Sequence, residues 1–185
     1  MSEFSRPYPL FSVCGLNCGL CSMYIGAYCP GCGGGLGNQP CKIARCSINH
    51  GVDYCFECDE YPCAHYDGIG EYDSFITHRH QCQDLEKAKA IGIDAYQTEL
   101  EEKMRILSDL LENYDTGRKK SFYCLAVNLL ALEDVKAVIE KMSAVTNSNN
   151  ISQKEKSALM AEAFERMAAE RAIELKLNKK PKKNP

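Results

Sequence analysis

The chain lacks a strong charge of either sign: it is nearly neutral and mildly acidic, with 22 lysines and arginines against 25 acids in 185 residues. A nucleic-acid surface needs a basic footprint, and this balance offers none. No apolar run approaches the roughly 20 residues of a membrane-spanning helix. Met1 to Leu10 (MSEFSRPYPL) has no basic stretch leading into an apolar core, so no secretory leader is visible. The expected compartment is therefore a reducing cytoplasm, where clustered cysteines serve metals or catalysis more often than disulfides. The glycine run GCGGGLG has no GK[ST] after it and is not a phosphate loop. No Ser/His/Asp set and no paired catalytic carboxylates are recognisable, so no catalytic residue is nominated and the reading leans away from an enzyme.

Cysteine is abundant. Ten of the twelve cysteines lie between Cys14 and Cys63, in the order CGLNCGLC, CPGC, CKIARC and YCFECDEYPC. Six of these ten form the CxxC pairs Cys18/Cys21, Cys29/Cys32 and Cys55/Cys58, interleaved with Cys14, Cys41, Cys46 and Cys63. Two residues between cysteines let one tight turn aim both sulfurs at a single tetrahedral ion. Two-residue loops are also poor closures for a stabilising disulfide, which gains more from a longer loop. All ten cysteines are thus candidate metal ligands, and zinc is the expected metal.

A closed structural zinc site takes four cysteines, sometimes with a histidine replacing one. Ten thiols fill two such sites with two left over. Cys29, Cys32, Cys41 and Cys46 make one compact local set, and Cys18, Cys21, Cys55 and Cys58 are the natural second. Cys14 and Cys63 are then spare, or substitute for a knuckle member, and six thiolates sharing two ions is another arrangement. Spacing does not decide among these pairings. Cys14-x3-Cys18-x2-Cys21 has the CxxxCxxC spacing of [4Fe–4S] radical enzymes, but the large barrel those enzymes need does not follow. A plain iron–sulfur carrier remains the alternative, although the C-x2-C-x2-C-x3-C-P run is absent.

The histidines receive ordinary readings. His50 and His65 stand beside the last cysteines and are expected outside the ligand set. His78, His80 and Cys82 are expected in an exposed turn before a helix, and Cys124 as a small core residue. A reactive spare thiol among Cys14, Cys63 and Cys82 is a third possibility.

Composition shifts near Cys82. Residues 1–82 hold 11 of the 13 glycines and 5 of the 7 prolines. Taken by itself this segment has little apolar content for a core, so metal would have to supply much of its folding free energy. Apolar residues at helical spacing then run from Asp94 to Tyr114, from Ser121 to Met142 with a break at Leu132-Glu133-Asp134, and from Ile151 to Leu177. The acids of that break are expected to open a second helix. The expected fold is a small, metal-stabilised, irregular zinc-knuckle module at 11–82, a helical bundle at 83–145, a C-terminal helix at 146–177 and a disordered basic tail at 178–185. Thr146–Asn150 reads as a linker.

The motifs CGLNCGLC, CPGC and CKIARCSINHGVDYCFECDEYPC, with the later GRKKSFYCLAVNLLALEDV, resemble an uncharacterised cysteine-rich family of mostly anaerobic bacteria and archaea. The specific part covers roughly residues 11–66, and a weaker helical likeness extends to about residue 142. The resemblance implies that the ten clustered cysteines belong to the family's pattern and that the protein binds zinc. It implies no reaction. The expected partner is an unidentified protein or small ligand.

Overall fold

The computed structural model describes residues 4–35, 41–148 and 151–181. Among them the regular elements are α-helices and short 3-10 turns, with no strand. The helices are α1 (Ser22–Ile25), α2 (Lys42–His50), α3 (Gln81–Ile91), α4 (Ile93–Asn113), α5 (Lys120–Leu129), α6 (Leu132–Ser148) and α7 (Gln153–Glu170). None of them is long and apolar enough to cross a membrane. The chain divides into two compact units, residues 1–101 with 177–185 and residues 102–176.

The division falls inside α4, after Glu101, and not at the composition shift near Cys82. The reason is apolar packing. Phe11 and Val13, from the segment before the first cysteine, are buried with Leu20 and Tyr54 of the cysteine-rich region. Leu85 and Ala88 of α3 and Tyr96 and Leu100 of α4 are buried in the same unit. The Phe11 ring lies 4.5 Å from that of Tyr96 and 5.4 Å from that of Tyr54, within the range of favourable ring pairs. The cysteine-rich segment therefore has a core, lent by the two helices that follow it.

Glycine makes that approach possible. Gly15 has φ +94°, and a Cβ there would meet the Gln81 carbonyl oxygen at 2.2 Å and Leu85 Cγ at 2.7 Å. Polar ties follow the same route. Asn17, buried, donates from Nδ2 to Asp84 at 2.9 Å and accepts at Oδ1 from the Tyr96 hydroxyl at 3.0 Å. The chain returns to this unit at its end. Asp73 N–H donates to the Asn178 carbonyl at 2.7 Å, Asn178 N–H donates to the Asp73 carboxylate at 2.8 Å, and Lys180 lies over the Tyr72 ring. The start of the basic tail is thus held, while residues 182–185 lie outside the described residues.

The second unit closes by side-chain packing. Leu107 and Leu110 of α4, Tyr123 and Val127 of α5, Val135 of α6, and Met160 and Phe164 of α7 are all buried. α7 packs on both α5 and α6. The expected break is present: α5 ends at Leu129, and Glu133 and Asp134 occupy the first turn of α6, where acids favour the helix N-terminus. Asp115 Oδ1 accepts from the backbone N–H groups of Gly117, Arg118 and Lys119, which sets the turn into α5. α6 continues through Ser148, so the first part of the expected linker is helical, and Asn149 and Asn150 lie outside the described residues. α7 begins at a capping box, with Ser152 and Glu155 each receiving the other's backbone N–H. Cys124 is buried here, as its apolar neighbours suggested.

Candidate metal centre

No disulfide joins any of the twelve cysteines. Among the described residues, no three His, Cys, Asp or Glu side chains are drawn together into an ion-holding group. What the fold does supply is knuckle backbone and a grouping of thiols.

The knuckles come first. Cys18–Leu20 and Cys55–Glu57 are both single 3-10 turns, each followed by the second cysteine of its CxxC pair. Cys21 has φ −82° and ψ 134°, and Cys58 has φ −82° and ψ 135°. In both, the second cysteine's N–H donates to the first cysteine's carbonyl, at 3.0 Å and 3.1 Å. The intervening residues, Gly-Leu in one and Phe-Glu in the other, share no chemistry. Two unrelated sequences therefore reach one conformation, in which two thiols leave the chain from the ends of a tight turn. The second knuckle is braced by Glu57, whose carboxylate accepts from Asp53 N–H at 2.8 Å and Tyr54 N–H at 3.1 Å. The third pair, Cys29/Cys32, is tied differently. Cys32 N–H donates to the Pro9 carbonyl at 2.8 Å, and Gly31, at φ +87°, leaves no room for a Cβ beside that carbonyl.

The thiols then separate into two groups in chain order. One holds Cys14, Cys18, Cys21, Cys29, Cys32 and Cys41. Burial pushes the Cys14 thiol up to about 12, with a smaller opposing pull from Ser12, whose Oγ is 3.1 Å from the sulfur, and further upward pushes from Cys32 and Cys41. Burial also raises Cys18 well above the usual thiol range, followed by Cys32, Cys14, Cys21 and Cys29 in order of effect. Cys32 is raised by burial and lowered by the Arg6 guanidinium beside it. Arg6 is buried, donates to the carbonyls of Phe11 at 2.7 Å and Asp53 at 3.0 Å, and lies 4.6 Å over the Tyr54 ring. It is a fixed cation beside Cys32.

The other group holds Cys46, Cys55, Cys58 and Cys63. Together with His50 and His65 these four line one small cavity, whose free volume of about 20 Å³ has room for a single small occupant on the scale of one water. Burial is the largest cause raising Cys46, followed by Cys63 and Cys58. Cys55 rises to about 11, through burial first, with Tyr66 pulling it down by a hydrogen bond and Cys63, Cys46 and Cys58 pushing it up. Tyr66 also donates from its hydroxyl to the Cys14 carbonyl at 3.3 Å, and Tyr61 packs edge-on against its ring. On α2, Cys46 and His50 are four residues apart and share a face. One ring nitrogen of His50, Nδ1, lies 3.5 Å from Cys46 Sγ and 3.0 Å from the Cys46 carbonyl oxygen. Its other nitrogen faces Glu60 at 3.8 Å.

This arrangement differs from both expected sets of four. Cys46 stands with Cys55, Cys58 and Cys63, not with Cys29, Cys32 and Cys41. Cys18 and Cys21 stand with Cys29 and Cys32, not with Cys55 and Cys58. Cys14 and Cys63, which spacing left as spares, as substitutes for a knuckle member or within a six-thiolate site, each stand near one of the groups. The segment's ends are joined by backbone and phenol: Cys55 N–H donates to the Val13 carbonyl at 2.9 Å, and the Tyr66 hydroxyl to the Cys14 carbonyl at 3.3 Å.

Cys82, His78 and His80 sit elsewhere. His78 contacts the Ile69 carbonyl at 3.2 Å and Ser74 Oγ at 3.0 Å, and His80 precedes the first turn of α3. Cys82 hydrogen-bonds Tyr61. Sequence reasoning missed Arg6, and it placed Tyr66 only as packing around the metal. The Cys46–His50 spacing was a legible signal, since i and i+4 meet on a helix.

Residues 10–68, which contain both groups, match the family model described as "Protein of unknown function (DUF3795)". The match covers the cysteine-rich segment and none of the second unit. No curated protein and no solved structure matches the chain.

Proposed function

We propose that this chain is a zinc-binding protein of a reducing cytoplasm. Its thiolate sites hold a binding module for a protein or small ligand and carry no catalysis. The observation that carries the reading is the shared geometry of the Cys18–Cys21 and Cys55–Cys58 knuckles. Each presents two sulfurs from one turn, the way structural zinc sites take their ligands. The donor chemistry agrees, because ten soft sulfurs select zinc or iron–sulfur over hard cations. Two ions are expected.

A second reading is favoured by the size of the first group. Six thiols exceed one closed four-thiolate site, and Cys14, Cys18 and Cys21 among them keep the CxxxCxxC spacing, so an iron–sulfur cluster of a redox protein is the alternative there. Elemental analysis of protein purified without oxygen decides. Zinc without iron or sulfide supports the first reading. Stoichiometric iron and sulfide with visible charge-transfer absorption overturns it.

A further inference from the structure

We infer that Cys46, Cys55, Cys58 and Cys63, which line one cavity without being drawn into an ion-holding group in this structure, close on one divalent ion of zinc's chemistry when metal is bound, independent of the six-cysteine group, with His50 and Tyr66 as positioning residues. The inference rests on the zinc reading and goes beyond it by assigning ligands, occupancy and order of release.

Four observations carry it. All four cysteines line one small cavity, whose free volume of about 20 Å³ has room for one small occupant. All four come from residues 46–63, on three adjoining local pieces: α2, the 3-10 turn Cys55–Glu57, and the start of the 3-10 turn Ala64–Tyr66. A site built from contiguous chain needs no ligand from the first group. Two of its sulfurs already have outer partners, since His50 Nδ1 is 3.5 Å from Cys46 Sγ and the Tyr66 phenol hydrogen-bonds Cys55. Such partners fix the direction of a ligand's lone pairs, and losing one typically costs 10- to 100-fold in metal affinity. Finally, the two groups differ in cover. In the first group Cys14 and Cys32 are buried and the other four are half-buried; Cys46, Cys55, Cys58 and Cys63 are all half-buried, and the His50 side chain beside Cys46 is 37% exposed. The four-cysteine site has no fully buried sulfur, so a chelator is expected to reach it first.

The experiment uses the full-length zinc-loaded protein under reducing, oxygen-free conditions. A chromogenic chelator is added in steps, the protein is pulse-alkylated, and labelled cysteines are located by mass spectrometry. The expected first phase labels Cys46, Cys55, Cys58 and Cys63 together as one ion leaves, with Cys14, Cys18, Cys21, Cys29, Cys32 and Cys41 still protected. Cys46→Ser and Cys63→Ser should each lower zinc by one ion per chain, and His50→Ala should speed the first phase about tenfold without changing content. Co-labelling of Cys18 and Cys21 with Cys55 and Cys58 in wild-type protein overturns the assignment and restores the interleaved pairing. So does full zinc content in both serine variants. Wild-type protein that holds no zinc overturns the underlying reading instead, and with it this one.

Discussion

The two units meet the same requirement, covering apolar surface at low entropy cost, by different means. In residues 102–176, four helical segments close on one another through Leu107, Leu110, Tyr123, Met160 and Phe164, all buried. In residues 1–101, helices supply only half of the cover. Phe11 and Val13 come from irregular chain whose path is fixed by turns, glycines and the buried Arg6. Irregular chain has few internal hydrogen bonds to offset its ordering, which costs roughly 1–2 kcal/mol per residue. Eleven of the twelve cysteines sit in the first unit and only Cys124, a core residue, in the other, as expected if metal offsets that cost.

Removing metal should break this comparison most severely. On the zinc reading, chelation under reducing conditions should abolish amide-exchange protection in α2 and the turns from Cys18 to Tyr66. Protection in α5, α6 and α7 should persist. Structural zinc contributes on the order of 10 kcal/mol or more to small modules, so the loss should be large. Equal loss in both units would show that the units do not differ in this way. No loss in either would show that Phe11 and its neighbours suffice.

Core substitutions should separate the units next. Phe164→Ala and Phe11→Ala each remove a fully buried ring and should each cost about 3–5 kcal/mol. Denaturant unfolding combined with zinc analysis distinguishes them. Phe164→Ala should leave zinc content intact, whereas Phe11→Ala should also hasten zinc release, because the ring packs on Tyr54 beside Cys55. Zinc release unchanged in Phe11→Ala would mean that the apolar core and the thiol groups are energetically separate.

Smaller effects test the helical unit alone. Ser152→Ala removes the N-cap acceptor of α7 and should cost about 1 kcal/mol, read as a lower urea midpoint. An unchanged midpoint would mean that α7 is held by packing only. The smallest effect is acid sensitivity at Asp134. The Arg171 guanidinium, bonded to both its oxygens at 2.6 and 2.8 Å, holds this carboxyl below its ordinary value. A depressed folded value stabilises the fold above the unfolded value, near pH 4, and the benefit fades as pH falls further. Urea midpoints of wild type and Asp134→Asn should therefore differ slightly at pH 6 and converge as pH drops below about 4.

Much of the helical unit was legible because apolar residues repeat at helical spacing and break where Glu133 and Asp134 open a new helix. The metal candidates were legible as residues but not as groups. CxxC spacing states that two sulfurs leave one turn. It does not state which turns face each other, since that depends on contacts such as Gly15 against Leu85 and Cys55 N–H on Val13, which join positions far apart in sequence. The division of the chain after Glu101 was not legible in composition for a similar reason. Composition changes at Cys82, but Leu85, Tyr96 and Leu100 are spent on the earlier segment. Arg6 left no signal, because a single arginine near the start of a chain looks like any surface cation.

The six-then-four ordering of the cysteines has a consequence for synthesis. A chain leaves the ribosome N-terminus first, at about 5–20 residues per second. The first group is complete once Cys41 has emerged, and the second once Cys63 has. Leu85, Tyr96 and Leu100, which are buried in the same unit as Phe11, have emerged at neither moment. An interleaved pairing would have kept Cys18 and Cys21 waiting for Cys58. On the zinc reading, the sequential one would let each set of thiols be captured as it appears, before the nascent segment has any apolar cover.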